Sequence, residues 1–151
     1  MKALSGRQPW WWAILHAGKR IENRVWNTSY RGPILLHAAK GCTRDEYESA
    51  VSWMIDAHVS TGLDIPPLSH MQRGGIVGRA RIVDVVPPFS LPYVYERLPK
   101  GVDVRWHMTE QFGFVLADVE PLPFRPCKGA LGLFELDYAT PPTGSTSGGE
   151  E

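Results

Sequence analysis

Gly18-Lys19-Arg20-Ile21-Glu22-Asn23-Arg24-Val25-Trp26 sets four charges within six positions and follows them with a tryptophan. Read as a strand, with successive side chains on opposite faces, it puts Arg20, Glu22, Arg24 and Trp26 together and sends Ile21 and Val25 into a core. Lys19, beside the flexible Gly18, sits at the turn, where its long stem reaches towards the charged face. The outcome is one carboxylate held among cations, next to an aromatic wall. Such a carboxylate stays ionised and fixes the cations around it, so the cluster can grip an anionic or hydrogen-bonding ligand. The same residues also read as a surface strand whose charges only pair with one another, at about 0–1 kcal/mol per exposed pair.

Upstream, Pro9 suits the first turn of a helix, where its missing N–H costs nothing, and Gly18 suits the stop. A helix is therefore expected over Pro9–Ala17, with Trp10, Ala13, Ile14 and Ala17 at i, i+3, i+4 and i+7 as its buried face. Trp11 and Trp12 cannot both join that face, so at least one lies on a second surface, either packed or available for stacking. Free N–H groups at the helix start, with Arg7 and Gln8 beside them, predict a small anion site. Before the helix, Lys2–Ser5 reads as a short strand.

Downstream, Asn27–Gly32 is turn-rich, and Pro33–Ala39 contains a buried-strand run at Ile34-Leu35-Leu36. Thr43-Arg44-Asp45-Glu46 is a capping box that should start a helix with Tyr47, Ala50, Val51 and Met54 inward, ending near Val59. Residues 60–75 read as loop, and Ile76–Val86 alternates as a long strand. Phe89–Gln111 has no clear period and carries Tyr93, Tyr95, Trp106 and His107, which suits an excursion covering part of a site. Phe112–Val119 is an apolar strand, Pro121, Pro123 and Pro126 mark a bend, and Leu131–Tyr138 closes as a last strand. Several strands with two helices and no βαβ rhythm predict an α+β fold, a small, mostly antiparallel β-barrel with flanking helices. The domain is expected to span residues 1–139, and 140–151, rich in Pro, Gly, Ser and Thr, to be a disordered tail.

The totals restrict the function classes. The chain has 151 residues, 43% hydrophobic and 21% charged, which suits one globular domain able to bury its own core. No apolar run approaches a membrane span, and no signal-peptide stretch opens the sequence, so a cytoplasmic protein is expected. Cys42 and Cys127 are expected to be thiols, and neither they nor the five histidines show metal-ligand spacing, so neither a metal nor a cofactor is expected. Net charge is zero, yet residues 1–40 hold seven Lys and Arg against Glu22 alone. A neutral protein with one positive segment draws anions to one place, which favours a small cleft over a broad duplex-binding surface.

Leu4-Ser5, Gln8-Pro9-Trp10, Gly18-Lys19, Glu22, Arg24, Trp26, Tyr30-Arg31-Gly32 and the closing Gly129…Gly132-Leu133 together resemble the ASCH domain (activating signal cointegrator homology), within the PUA-like superfamily. The hallmark is Gly18-Lys19-x-x-Glu22-x-Arg24. The resemblance reaches to about Tyr138 and is most specific in the first forty residues. It implies a PUA-like barrel with a cleft among the first helix, the charged strand and nearby loops, where RNA or another nucleic acid binds. Two departures from the pattern stand out: tryptophans at 11 and 12, where smaller or more varied residues are expected, and Gly6, where a larger apolar residue is common. Some distant relatives resemble amidohydrolases acting on acetylcytidine, with a threonine nucleophile three residues after the motif lysine. Glu22 stands there in this chain, and a carboxylate does not replace an activated hydroxyl.

The leading expectation is a module for single-stranded RNA, or for one base or nucleotide within it. Unstacked bases are recognised by aromatic platforms and by hydrogen bonds to their edges. Trp10, Trp26 and Tyr30 are candidate platforms, Glu22 an acceptor for exocyclic amino groups, and Lys19, Arg24 and Arg31, with Arg7 and Gln8, the groups for phosphate. Taken alone, Trp10 and Trp26 each read first as core. The alternative is a hydrolase, a ribonuclease or an enzyme of a modified nucleoside, with Lys19 and Glu22 as a base and acid pair; no Ser–His–Asp or paired-carboxylate spacing stands out. A third reading is a module for a protein partner.

Overall fold

In the computed structural model, residues 1–57, 59 and 64–138 are described. The expected tail at 140–151, the domain end at 139, His58 and residues 60–63 of the expected loop lie outside the described residues.

In chain order the elements are β1 (Lys2–Gly6), α1 (Trp10–His16), β2 (Ile21–Arg24), β3 (Gly32–Ala38), α2 (Arg44–Asp56), β4 (Gly75–Val86), α3 (Pro92–Tyr95), β5 (Phe112–Pro126) and β6 (Leu133–Glu135). The strands form one six-stranded sheet, ordered β2-β5-β4-β3-β1-β6 and curled into a half-barrel. Only β1 and β3 run parallel; the other neighbours are antiparallel. The α+β, barrel-like class expected from the sequence is therefore what the chain adopts, but the sheet stays open. Its edge strands β2 and β6 are four and three residues long and do not pair with each other.

The main core joins α1 to the sheet. Trp11 and Ile14 of α1 pack there with Leu4, Ile34, Leu36, Ile82, Phe114 and Leu116. This corrects the helical face read from spacing: Trp11 is fully buried, whereas Trp10 is half-buried and belongs to a second cluster with Ala13, Ile21, Met54 and Trp106. The helix is also shorter than expected, with Pro9 as its N-cap. The capping box at Thr43 forms in full, and Ala50 and Met54 are buried as expected while Tyr47 and Val51 are half-buried.

The prolines of β5 do not end the strand. Pairing with β2 stops at Val115, so the later part of β5 has β4 on one side only. A proline whose missing N–H would face that open side removes no ladder bond. The β4–β5 register shifts three times, which absorbs the rest of the irregularity.

Among the described residues, no helix is long and apolar enough to cross a membrane.

Candidate nucleic-acid interface

Gly18, at φ +77°, reverses the chain after α1, and the Lys19 N–H closes back on the Ala13 carbonyl. This turn drops Lys19 into the interior. Its Nζ lies 3.0 Å from Glu22 Oε1, and Lys19 and Glu22 are 1% and 6% exposed. The other carboxylate oxygen, Glu22 Oε2, accepts from Arg24 Nε at 3.1 Å and lies 3.0 Å from Arg24 Nη2. Arg24 Nη2 also donates to the Ser5 carbonyl at 2.8 Å, tying the edge strand β2 to β1, a strand it does not pair with. One carboxylate thus serves two cations in a buried setting, and the cluster keeps a net positive charge.

Burial works against charge on both members of the Lys19–Glu22 pair. For Glu22 the burial penalty is outweighed by Lys19 and then Arg24, so its carboxyl titrates below the ordinary 4.5. For Lys19 burial prevails over the pull of Glu22, and the amine titrates below 10.5. The Lys19 ammonium also sits 5.2 Å from the centre of the Trp10 ring, a cation–π contact.

Beside this cluster lies a cleft of about 530 Å³. Its walls are Ser5 and Gly6 of β1 with Arg7 after them, Trp10 of α1, Glu22–Trp26, and the loop at 130–132 before β6, with Ala39 and Gln111 completing it. Five of the residues singled out in the sequence meet here: Arg7, Trp10, Glu22, Arg24 and Trp26. The other four do not line the cleft. Lys19 is buried behind Glu22 and Trp10. Gln8 is a packing and capping residue: its Oε1 accepts from the Trp12 N–H and its Nε2 donates to the Gln72 carbonyl. At the helix start Gln8 takes the N–H of Trp12 and the Arg7 carbonyl accepts that of Trp10. Tyr30 donates to the Pro33 carbonyl, and Arg31 folds onto the carbonyls of Thr28 and Tyr30.

The alternation expected over Gly18–Trp26 holds only for Ile21–Arg24. Beyond Arg24 the chain bends, so Val25 is 81% exposed instead of buried, and Arg20 turns away to the carbonyls of Ile14 and Lys19. The bend is what brings Trp26 into the cleft, with its ring edge-on to Phe114 at 5.3 Å. Arg7 reaches the opposite side and pairs with Glu46 of α2.

Sequence reasoning missed Asn23, Val25, Ala39, Gln111 and the 130–132 loop. Asn23 fastens the Phe89–Gln111 excursion to β2, donating to the Trp106 carbonyl and accepting from the Met108 N–H. His107 does not line the cleft; its Nε2 hydrogen-bonds the carbonyl of Gln111, which does. Residues 130–132 carried a signal in the Gly129…Gly132 pair, and Leu131, on the lip, is 98% exposed.

The two departures at Gly6 and Trp11 are a single feature. A Cβ at position 6 would lie 2.7 Å from two atoms of the Trp11 indole and 3.0 Å from Arg24 Nη2. The indole fills the volume that a side chain at position 6 would take, and its Nε1 donates to the His37 carbonyl at 2.6 Å.

Among the described residues, no group of three or more His, Cys, Asp or Glu side chains is placed to hold a metal ion. No curated protein matches the chain. The family pattern described as the ASCH domain matches residues 4–123, and it takes in α1, the buried Lys19–Glu22–Arg24 cluster, the whole of β2, β3 and β4, and most of β1 and β5. The chain belongs to the ASCH domain family.

Proposed function

We propose that the chain binds single-stranded RNA by receiving one unstacked base or nucleotide in the cleft between Trp10 and Trp26. The observation that carries this reading is the composition of that one cleft: two half-buried tryptophans, two arginines and an ionised carboxylate converge on about 530 Å³ open to solvent. A base stacked on an aromatic ring is worth roughly 1–3 kcal/mol. Arg7, paired with Glu46, and Arg24, paired with Glu22, are the cations on the cleft wall for a phosphate to meet, and Glu22, locked by two cations, is the acceptor for an exocyclic amino group. The cleft's opening to solvent supports this reading. The same reading makes the protein a cytoplasmic one, in keeping with Cys42 and Cys127 as free thiols.

Titration of labelled single strands at rising salt tests the proposal. Micromolar or tighter binding that weakens with salt supports it, and no detectable binding at low salt overturns it. Glu22→Gln refines the test. The substitution keeps size and reach, so discrimination among bases should fall while phosphate-driven affinity holds or rises.

A further inference from the structure

We propose that Ser5, on the cleft wall, and the buried His37 form a nucleophile and general-base pair able to carry out acyl transfer on an ester. Ser5 and His37 are 32 residues apart in sequence, but the parallel register of β1 and β3 makes them direct partners. Ser5 Oγ lies 2.9 Å from His37 Nδ1, and His37 Nε2 lies 2.8 Å from the carbonyl oxygen of Cys127. A carbonyl oxygen can only accept, so Nε2 carries the proton. In the neutral ring Nδ1 is then the bare nitrogen, and the Ser5 hydroxyl must be the donor. This is the tautomer and direction that a serine nucleophile needs, with the Cys127 carbonyl in the orienting role a carboxylate plays elsewhere.

Four further observations bear on the pair's chemistry. His37 is only 3% exposed, with Phe134 edge-on to its ring at 6.1 Å, so its orientation is fixed. Ser5, by contrast, lines the cleft. A Cβ at Gly129 would lie 2.7 Å from His37 Cε1 and 2.8 Å from both His37 Nδ1 and Ser5 Oγ, so a side chain there would push into the pair. Position 129 is open to glycine alone without rearrangement. Finally, Arg24, bound to the Ser5 carbonyl and to Glu22, lines the same cleft and sets a cation beside the reacting residue.

In the step, Ser5 Oγ bonds to the ester carbonyl carbon while its proton passes to His37 Nδ1. The tetrahedral intermediate collapses by breaking the carbon–oxygen bond to the alcohol, which leaves with the proton from Nδ1. Water, deprotonated by the same nitrogen, then releases the acid and restores Ser5. This activity goes beyond the binding reading and stands or falls apart from it, because neither Ser5 nor His37 is needed to stack a base.

The intact protein is treated with diisopropyl fluorophosphate, and the products are read by intact mass and peptide mapping. Ser5 Oγ attacks phosphorus, the P–F bond breaks, fluoride leaves and His37 takes the proton. The expected result is a single adduct on Ser5, absent in Ser5→Ala, and formed at least about 100-fold more slowly in His37→Gln. p-Nitrophenyl acetate should be turned over by the parent and not by Ser5→Ala. No adduct on the parent overturns the proposal. So does labelling that appears equally on other serines, that persists in the urea-unfolded chain, or that is as fast in a folded His37→Gln. If His37→Gln does not fold, the parent and Ser5→Ala still decide the matter.

Discussion

Two sets of ion pairs use the same residue types in opposite surroundings. The Lys19–Glu22–Arg24 cluster is buried between α1 and the edge of the sheet, whereas Arg79–Glu120 and Arg81–Asp118 link β4 to the β5 side on the surface. The distances overlap: 3.0 Å for both buried contacts, 2.6 and 3.7 Å for the exposed ones. What differs is water. Where water is excluded, a lost partner leaves a bare charge with nothing to solvate it. On the surface the solvent replaces the partner almost in full. Contact geometry therefore says little about energetic weight until burial is known.

The largest expected effect follows from breaking the buried cluster. Lys19→Met keeps the apolar stem but removes one of the two cations on Glu22, and should cost about 3–5 kcal/mol of unfolding free energy in a denaturant titration. A cost below about 1 kcal/mol would show that the cluster behaves like the surface pairs.

Next in size is the Gly6–Trp11 arrangement, which holds Arg24 in place. Gly6→Val drives a side chain into the Trp11 indole and should cost about 1–3 kcal/mol. Trp11→Ala alone leaves a cavity. The double substitution should cost less than the sum of the two, because the new valine moves into the vacated space. Strict additivity, measured by the same unfolding curves, would mean the two positions do not share that volume.

The buried cluster also has a pH signature. Glu22 titrates below 4.5 in the folded chain, so its stabilising contribution is complete above that value and is lost as the pH falls through the lower folded pKa. Asp84 and Asp103 are held low as well, so acid sensitivity of the parent alone does not isolate Glu22. The difference between parent and Glu22→Gln does. The stability gap between them should be widest near neutrality and should shrink below pH 4.5. A gap independent of pH would assign the effect to shape and not to charge.

Seen from the sequence, the cluster was legible in its membership and not in its depth. The spacing Lys19-x-x-Glu22-x-Arg24 brought the three residues together, and the resemblance to the ASCH domain supplied the cleft. Burial was not legible, because whether a charged strand faces water depends on the helix that returns over it, and that return hangs on the Gly18 turn. The Trp10–Trp11 assignment failed for a related reason. A seven-residue helix clasped between two cores has an inner side on each, so one apolar stripe is not enough to choose between neighbouring tryptophans. The Ser5–His37 contact was invisible for a third reason: a parallel register joins residues across an intervening helix and strand, and no local pattern reports it.

The smallest effect is expected on the surface side of the comparison. Arg79 and Glu120 are 53% and 51% exposed at the side chain, and their contact bridges β4 and β5 where the two strands are already joined by backbone pairing. The ion pair adds no connection that the sheet lacks. Two long side chains must be ordered to make it, and salt screens what remains, so its net worth is about 0–1 kcal/mol. Arg79→Ala should therefore shift the unfolding midpoint little, and raising the salt concentration should erase even that difference. The same salt should barely change the cost of Lys19→Met, whose charges lie out of reach of mobile ions. If instead Arg79→Ala destabilised the protein as much as Lys19→Met, or if salt weakened both costs alike, burial would not be what separates the two sets of pairs.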